Sequence, residues 1–303
     1  MQSKELFLDA LDNITNFYGK DLMNLRIRKI NMNYLYTIVE LNNEQVGVAL
    51  NYANAGFKKY RDFYDTLSTS KFFLLESQND PLLLDTLKKN LGNDIPYLTQ
   101  SLFCAIFSAL SRPFYFQTKL QNSNYGIMEG SIDLNSIGLP NDTISIIGFG
   151  GYLLQALKSQ CFSTIFISDL MYSLPEGKKY IDKKFRDFEF SQEKKNVIIH
   201  DGVENTDYIT KSKVTCITGS ALCNDTMWGL LKSAQGCREI VISGHSGLLP
   251  PNVYFRLGVT YIGWSSIPRN FMTLIEANDD LGKKFDNFID ETLKPRYYCF
   301  RCK

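Results

Sequence analysis

No apolar run in this 303-residue chain reaches the roughly 20 residues that a membrane-spanning helix needs, so no such helix is expected. An excess of either charge is also missing. The net charge is +1 and no basic stripe runs along the chain, so neither nucleic acid nor an anionic membrane is an expected partner. The first nine residues, Met1 to Asp9, carry acid too early and too short an apolar run for a secretory signal, and a cytoplasmic protein is the expectation. Internal repeats and low-complexity tracts are absent. Histidine is scarce, only His200 and His245, and no H-x-x-x-H ligand spacing exists. The seven cysteines are an odd number, which points to reduced thiols and away from a disulfide framework.

Apolar residues make up 44% of the sequence and charged residues 21%, the balance of a globular protein long enough for two cores. Residues 3–18 place Leu6, Leu8, Leu11, Ile14, Phe17 and Tyr18 on one helical face. Three extended runs follow, Arg26–Met32, Tyr34–Leu41 and Gln45–Tyr52. Asn42-Asn43 between the last two suits a hairpin because asparagine tolerates positive φ. Helical spacing resumes at 81–91 and 95–110. Residues 1–120 therefore read as a small α+β domain, and the turn-rich segment 121–142 as a linker or domain edge.

From 143 to 303 the pattern changes. Ile144–Ile147 leads into Gly148-Phe149-Gly150-Gly151, Val214–Ile217 into Thr218-Gly219-Ser220, and Glu239–Ile242 into Ser243-Gly244-His245-Ser246-Gly247. Strand, small-residue turn and helix recur in that order, which predicts a parallel α/β sheet. Ligands of such sheets collect at the carboxyl ends of the strands, so these turns are the candidate site. A long helix is expected over 270–293, closing the fold or serving as a homodimer face, with residues 297–303 as a tail.

Each turn carries two readings. Gly148, Phe149, Gly150 and Gly151, with Asp169 at the end of the next strand, imitate a dinucleotide fingerprint, but leucine stands at 153 where the third glycine belongs; a plain tight turn is the other reading. Thr218, Gly219, Ser220, Asn224 and Thr226 offer groups for a small anion at a helix start, or cap that helix. Gly244 and Ser246 line the third turn. Cys223 and His245, joined by Asp225, Asp169 or His200, have ligand chemistry for zinc, copper or nickel. The plainer reading makes Cys223 a packed thiol, His245 a turn residue and His200 a surface turn residue. A Cys223–His245 nucleophilic pair lacks an orienting acid. Cys299-Phe300-Arg301-Cys302 is half of a zinc or redox motif on the tail.

These residues resemble a known family. Ile146-Ile147-Gly148-Phe149-Gly150, Thr218 to Thr226, Gly244-His245-Ser246-Gly247-Leu248-Leu249-Pro250 and Gly258 to Gly263 together resemble the putative heavy-metal-chelation family. The resemblance implies a Rossmann-like domain preceded by a smaller domain similar to the enolase N-terminal domain, with a ligand cleft between them. Three positions depart from the family pattern. His245 replaces a frequent proline, Cys223 replaces an aliphatic residue, and Glu276 to Gly282 replaces a glycine-rich segment. The expected function is binding of a small molecule or metal complex in that cleft. The alternative is a Rossmann-fold enzyme with a nucleotide-type cofactor or substrate.

Overall fold

The computed structural model describes residues 3–32, 36–51, 87, 97–116, 125–148, 152–170, 196–268, 270–276 and 296–301. The expected helix over 81–91 apart from Leu87, most of the one over 270–293, and Cys302 lie outside them.

Helix α1 (Ser3–Tyr18) buries Leu6, Phe7, Ala10, Leu11 and Ile14. Leu8, placed on the apolar face by the sequence reading, is 42% exposed, and Phe7 takes the inner position against Phe107. Strands β1 (Ile27–Met32), β2 (Tyr36–Leu41) and β3 (Val46–Leu50) form the expected antiparallel meander in the order β1-β2-β3. The turn between β2 and β3 is built differently from the expectation. Glu44, not an asparagine, holds the left-handed conformation at φ 64°, while Leu41 and Gln45 close the loop through Leu41 N donating to Gln45 O. Because a side chain in that region is strained and glycine is not, Glu44→Gly is expected to raise stability by about 0.5 kcal/mol, read from a urea midpoint. A lowered midpoint would mean that the Glu44 side chain holds the turn.

Helix α2 (Tyr97–Phe116) is apolar nearly all round, every residue from Leu102 to Leu110 being buried, and a helix of that kind must be covered on more than one side. One side lies on β2 and β3. The other reaches the larger sheet, where Gln100 Nε2 donates to Leu222 O at 3.0 Å and Tyr115 Oη donates to Leu249 O at 2.5 Å.

That larger sheet is assembled from β4 (Tyr125–Glu129), α3 (Leu134–Ile137), β5 (Asp142–Ile147), α4 (Tyr152–Lys158), β6 (Phe162–Asp169), β7 (Asn196–Asp201), α5 (Asn205–Ile209), β8 (Val214–Thr218), α6 (Met227–Ser233), β9 (Glu239–Ser243), α7 (Pro251–Phe255), β10 (Tyr261–Ser265), α8 (Phe271–Glu276) and β11 (Arg296–Arg301). The strand order is β4-β11-β10-β9-β8-β5-β6-β7. Strands β5 to β10 are parallel, and β11 and β4 extend them antiparallel. The segment read as a linker thus holds an edge strand. The residues read as a tail form β11, inside the sheet between β10 and β4, because Tyr297 to Phe300 alternate sides as strand residues must.

The same alternation divides the apolar residues between two cores. Ile240 and Ile242 face one, Val241 the other; Cys216 and Ile217 part in the same way. One core includes Leu134, Leu153 and Leu157. The other runs without a break from α1 through β2, β3 and α2 to α6, α7 and the β8–β10 face, so α2 is the layer joining the two sheets.

Candidate functional site

The six parallel strands lie in the order β7-β6-β5-β8-β9-β10, the doubly wound arrangement in which the chain changes direction between β5 and β8. The turns after those strands are where the sequence reading looked. Gly148 ends β5 with φ 85°, and a Cβ there would meet Thr218 Cγ2 at 2.5 Å, so glycine is required both by backbone conformation and by contact with the turn after β8. Phe149, Gly150 and Gly151 lie outside the described residues. Asp169 reaches the level of Gly148, since the β5–β6 register sets Ile147 opposite Ser168.

The turns after β8 and β9 meet backbone to backbone. A Cβ on Gly219 would lie 2.7 Å from Gly247 N and 2.8 Å from Gly244 O, and Gly244 itself adopts φ 120°. The three turns converge, but these two are closed against each other. Their polar side chains are engaged locally. Thr218 Oγ1 and Ser220 Oγ share a hydrogen bond at 2.9 Å, Thr226 Oγ1 donates to Asn224 Oδ1 at 2.6 Å, and Ser246 Oγ accepts from Leu50 N at 2.8 Å, tying β3 to the rim. Thr218 caps the helical turn Gly219–Leu222, and Asp225 sits exposed at φ 62°.

The expected metal ligands do not share one coordination sphere: among the described residues no three His, Cys, Asp or Glu side chains are grouped to hold an ion. Cys223 is fully buried and hydrogen-bonded with Cys104 of α2, whose thiol burial pushes well above its usual range. That is the plainer of its two sequence readings, and the residue that covers it comes from a helix more than a hundred residues earlier. His200 is not a surface turn residue. It lies buried on β7, donates from Nδ1 to Asp201 O at 2.8 Å and stacks on Tyr208. Cys299 is buried in β11, where burial raises its thiol pKa, so the expected tail motif begins inside the core.

His245 has chemistry to spare, as does His200, whose Nε2 is likewise buried with no hydrogen-bond partner among the described residues. In His245 the buried atom without such a partner is Nδ1. Burial first, and then the charges of Arg112 and Arg296, lower its pKa to about 4, so the ring is neutral at pH 7. At the ends of the neighbouring strands and on α2 stand residues that the sequence reading missed. The Tyr152 hydroxyl, at the start of α4, hydrogen-bonds Ser243 at the end of β9. Gly263 of β10 makes room for that pair, since a Cβ there would lie 3.1 Å from Tyr152 Oη and 3.5 Å from Ser243 Oγ. Arg112 is the fourth, and it carried a usable signal: a lone arginine inside an apolar helix. It is 8% exposed, and it donates from Nη1 to Val46 O and from Nη2 to Ile267 O, both at 3.3 Å.

The strand order and the position of the turns define a doubly wound α/β protein extended by a smaller sheet. The DUF364 family model, described as putative heavy-metal chelation, matches residues 139–274, in agreement with the resemblance read from the motifs. Two solved structures share the fold across nearly the whole chain. A DUF364 protein of unknown function from Pyrococcus horikoshii superimposes with a TM-score of 0.63 at 16% identity, covering 98% of this chain and 99% of its own. Another, from Desulfitobacterium hafniense DCB-2, gives 0.53 at 12% identity, covering 95% and 98%. No curated protein matches. Among the described residues, no helix is long and apolar enough to cross a membrane.

Proposed function

We propose that this protein binds a small molecule or a metal complex at the C-terminal rim of the large sheet, where the small sheet closes over it. The observation that carries this reading is the convergence of the turns after β5, β8 and β9, with His245 offering there a ring nitrogen that has no partner among the described residues. The family description adds the metal. Zinc, copper or nickel is the chemistry that an imidazole with an added thiolate would take. Since Cys223 packs against Cys104, ligands beyond His245 come from the bound molecule itself, which favours a metal complex over a bare ion. The test is metal uptake by metal-stripped protein, with and without a chelating small molecule such as citrate. Stoichiometric uptake that falls at least tenfold in His245→Ala is expected. No uptake in either condition refutes the metal half.

The second reading, a nucleotide-binding enzyme, draws on the strand order and on Asp169 beside the Gly148 turn. Calorimetry with NAD, NADP and S-adenosylmethionine separates the two. A titration that saturates in the native protein and weakens in Asp169→Ala supports the nucleotide, and three flat titrations dispose of it.

A further inference from the structure

Arg112 is a buried cation without an ionic partner among the described residues. A guanidinium taken out of water is costly unless an anion compensates it, and at pH 7 this one stays charged: burial lowers its pKa only to about 10. Arg112 forms no ion pair with any described residue. Its two carbonyl acceptors, Val46 O and Ile267 O, lie at 3.3 Å, long for charge-assisted bonds, and they leave most of the five N–H donors of the fork unused among the described residues.

The guanidinium borders a crevice of about 380 Å³, lined also by Asn43 and Val46 of the small sheet, Phe116 of α2, and Ser266 and Ile267 after β10. That volume suits a small organic molecule. Glu44 at the exposed hairpin tip is the one carboxylate among the described lining residues. Phe116, itself 43% exposed, holds the guanidinium 5.4 Å from its ring centroid and meets Trp264 and Tyr297 edge-on. Within that aromatic cluster the Trp264 Nε1 donor is buried with no acceptor among the described residues. Arg296, which with Arg112 depresses the His245 pKa, adds a second positive charge to this end of the sheet.

We infer that the crevice takes a small molecule bearing a carboxylate or phosphate, with Arg112 as the fork that receives the anionic group. The inference rests on the reading of the rim as a ligand site and supplies the charge class of the ligand. Planar oxyanions fit because an arginine fork can give them two parallel hydrogen bonds, and because ligand charge would offset the desolvation of Arg112, which has no counter-ion among the described residues.

Calorimetric titration with inorganic phosphate and with citrate, without metal, tests it on the native protein, Arg112→Met and Ser266→Trp. Saturable binding of at least one probe is expected. Citrate alone would mark a carboxylate site and phosphate alone a phosphate site. Arg112→Met, checked for native circular dichroism, should weaken binding at least tenfold. Ser266→Trp fills the crevice from the β10 side and leaves Arg112 in place, so it keeps the test alive if the methionine variant does not fold; it too should abolish binding. Flat titrations with both probes, or unchanged affinity in a folded variant, overturn the inference. The outcome is separable from the metal and nucleotide titrations, which address the rim and use neither variant.

Discussion

Gly47→Ala is expected to prevent folding, or to destabilise the protein by more than about 3 kcal/mol, beyond the usual cost of an overpacked core. Gly47 lies in β3 directly beneath α2. A Cβ there would fall on the carbonyl oxygen of Ala105 and lie 2.5 Å from Ala109 N. Both are backbone atoms in the middle of a helix, so no side-chain rotation relieves the clash. The helix would have to rise from the strand, but its other side is held to the large sheet by the Gln100–Leu222 and Tyr115–Leu249 hydrogen bonds. Soluble yield and the urea midpoint of the purified variant are the measurements. A variant within about 1 kcal/mol of the native protein would show that α2 can lift without loss, contrary to close packing.

Acid should destabilise the protein well above the carboxylate range, through His245. Its folded pKa of about 4 lies below the 6.5 of an ordinary histidine, so between those values the unfolded chain binds a proton that the folded one does not. Stability from this residue is therefore complete above pH 6.5 and is lost as pH falls toward 4. At 1.4 kcal/mol per unit, the loss is at most about 3 kcal/mol, reduced by whatever solvent reaches the ring. His245→Gln should flatten the urea midpoint between pH 6.5 and 4.5. An equal slope in both proteins would assign the acid sensitivity elsewhere, with buried His200, whose pKa burial also lowers, as the next residue to replace.

The position of the site explains why its legibility was uneven. Gly148, Gly219 and Gly244 could be read from the sequence because each stands where an apolar strand run stops, and strand followed by turn is a local event. The same locality made Thr218, Ser220, Asn224 and Thr226 look like a ligand loop. In the structure these pairs hydrogen-bond each other, a use that the sequence equally allows. Phe149, Gly150 and Gly151 fall outside the described residues. His200 was misplaced because burial depends on what packs opposite, and for Cys223 the choice between ligand and packed thiol turned on its contact with Cys104. The apolar pattern of 296–301 fits a terminal strand as well as a tail, and only pairing with β4 and β10 decides between them.

The sequence by itself determined helices α1 and α2, the meander, the parallel sheet and the glycine-marked turns, since each follows from the spacing of apolar and small residues within a few positions. Tertiary structure decided the rest. It set α2 between two sheets, left Arg112 buried beside a crevice, closed the Gly219 and Gly247 turns on each other and sealed Cys223 away. Those outcomes depend on distances between segments up to two hundred residues apart, and no local pattern encodes the free energy of a charge or thiol whose surroundings arrive from elsewhere in the chain.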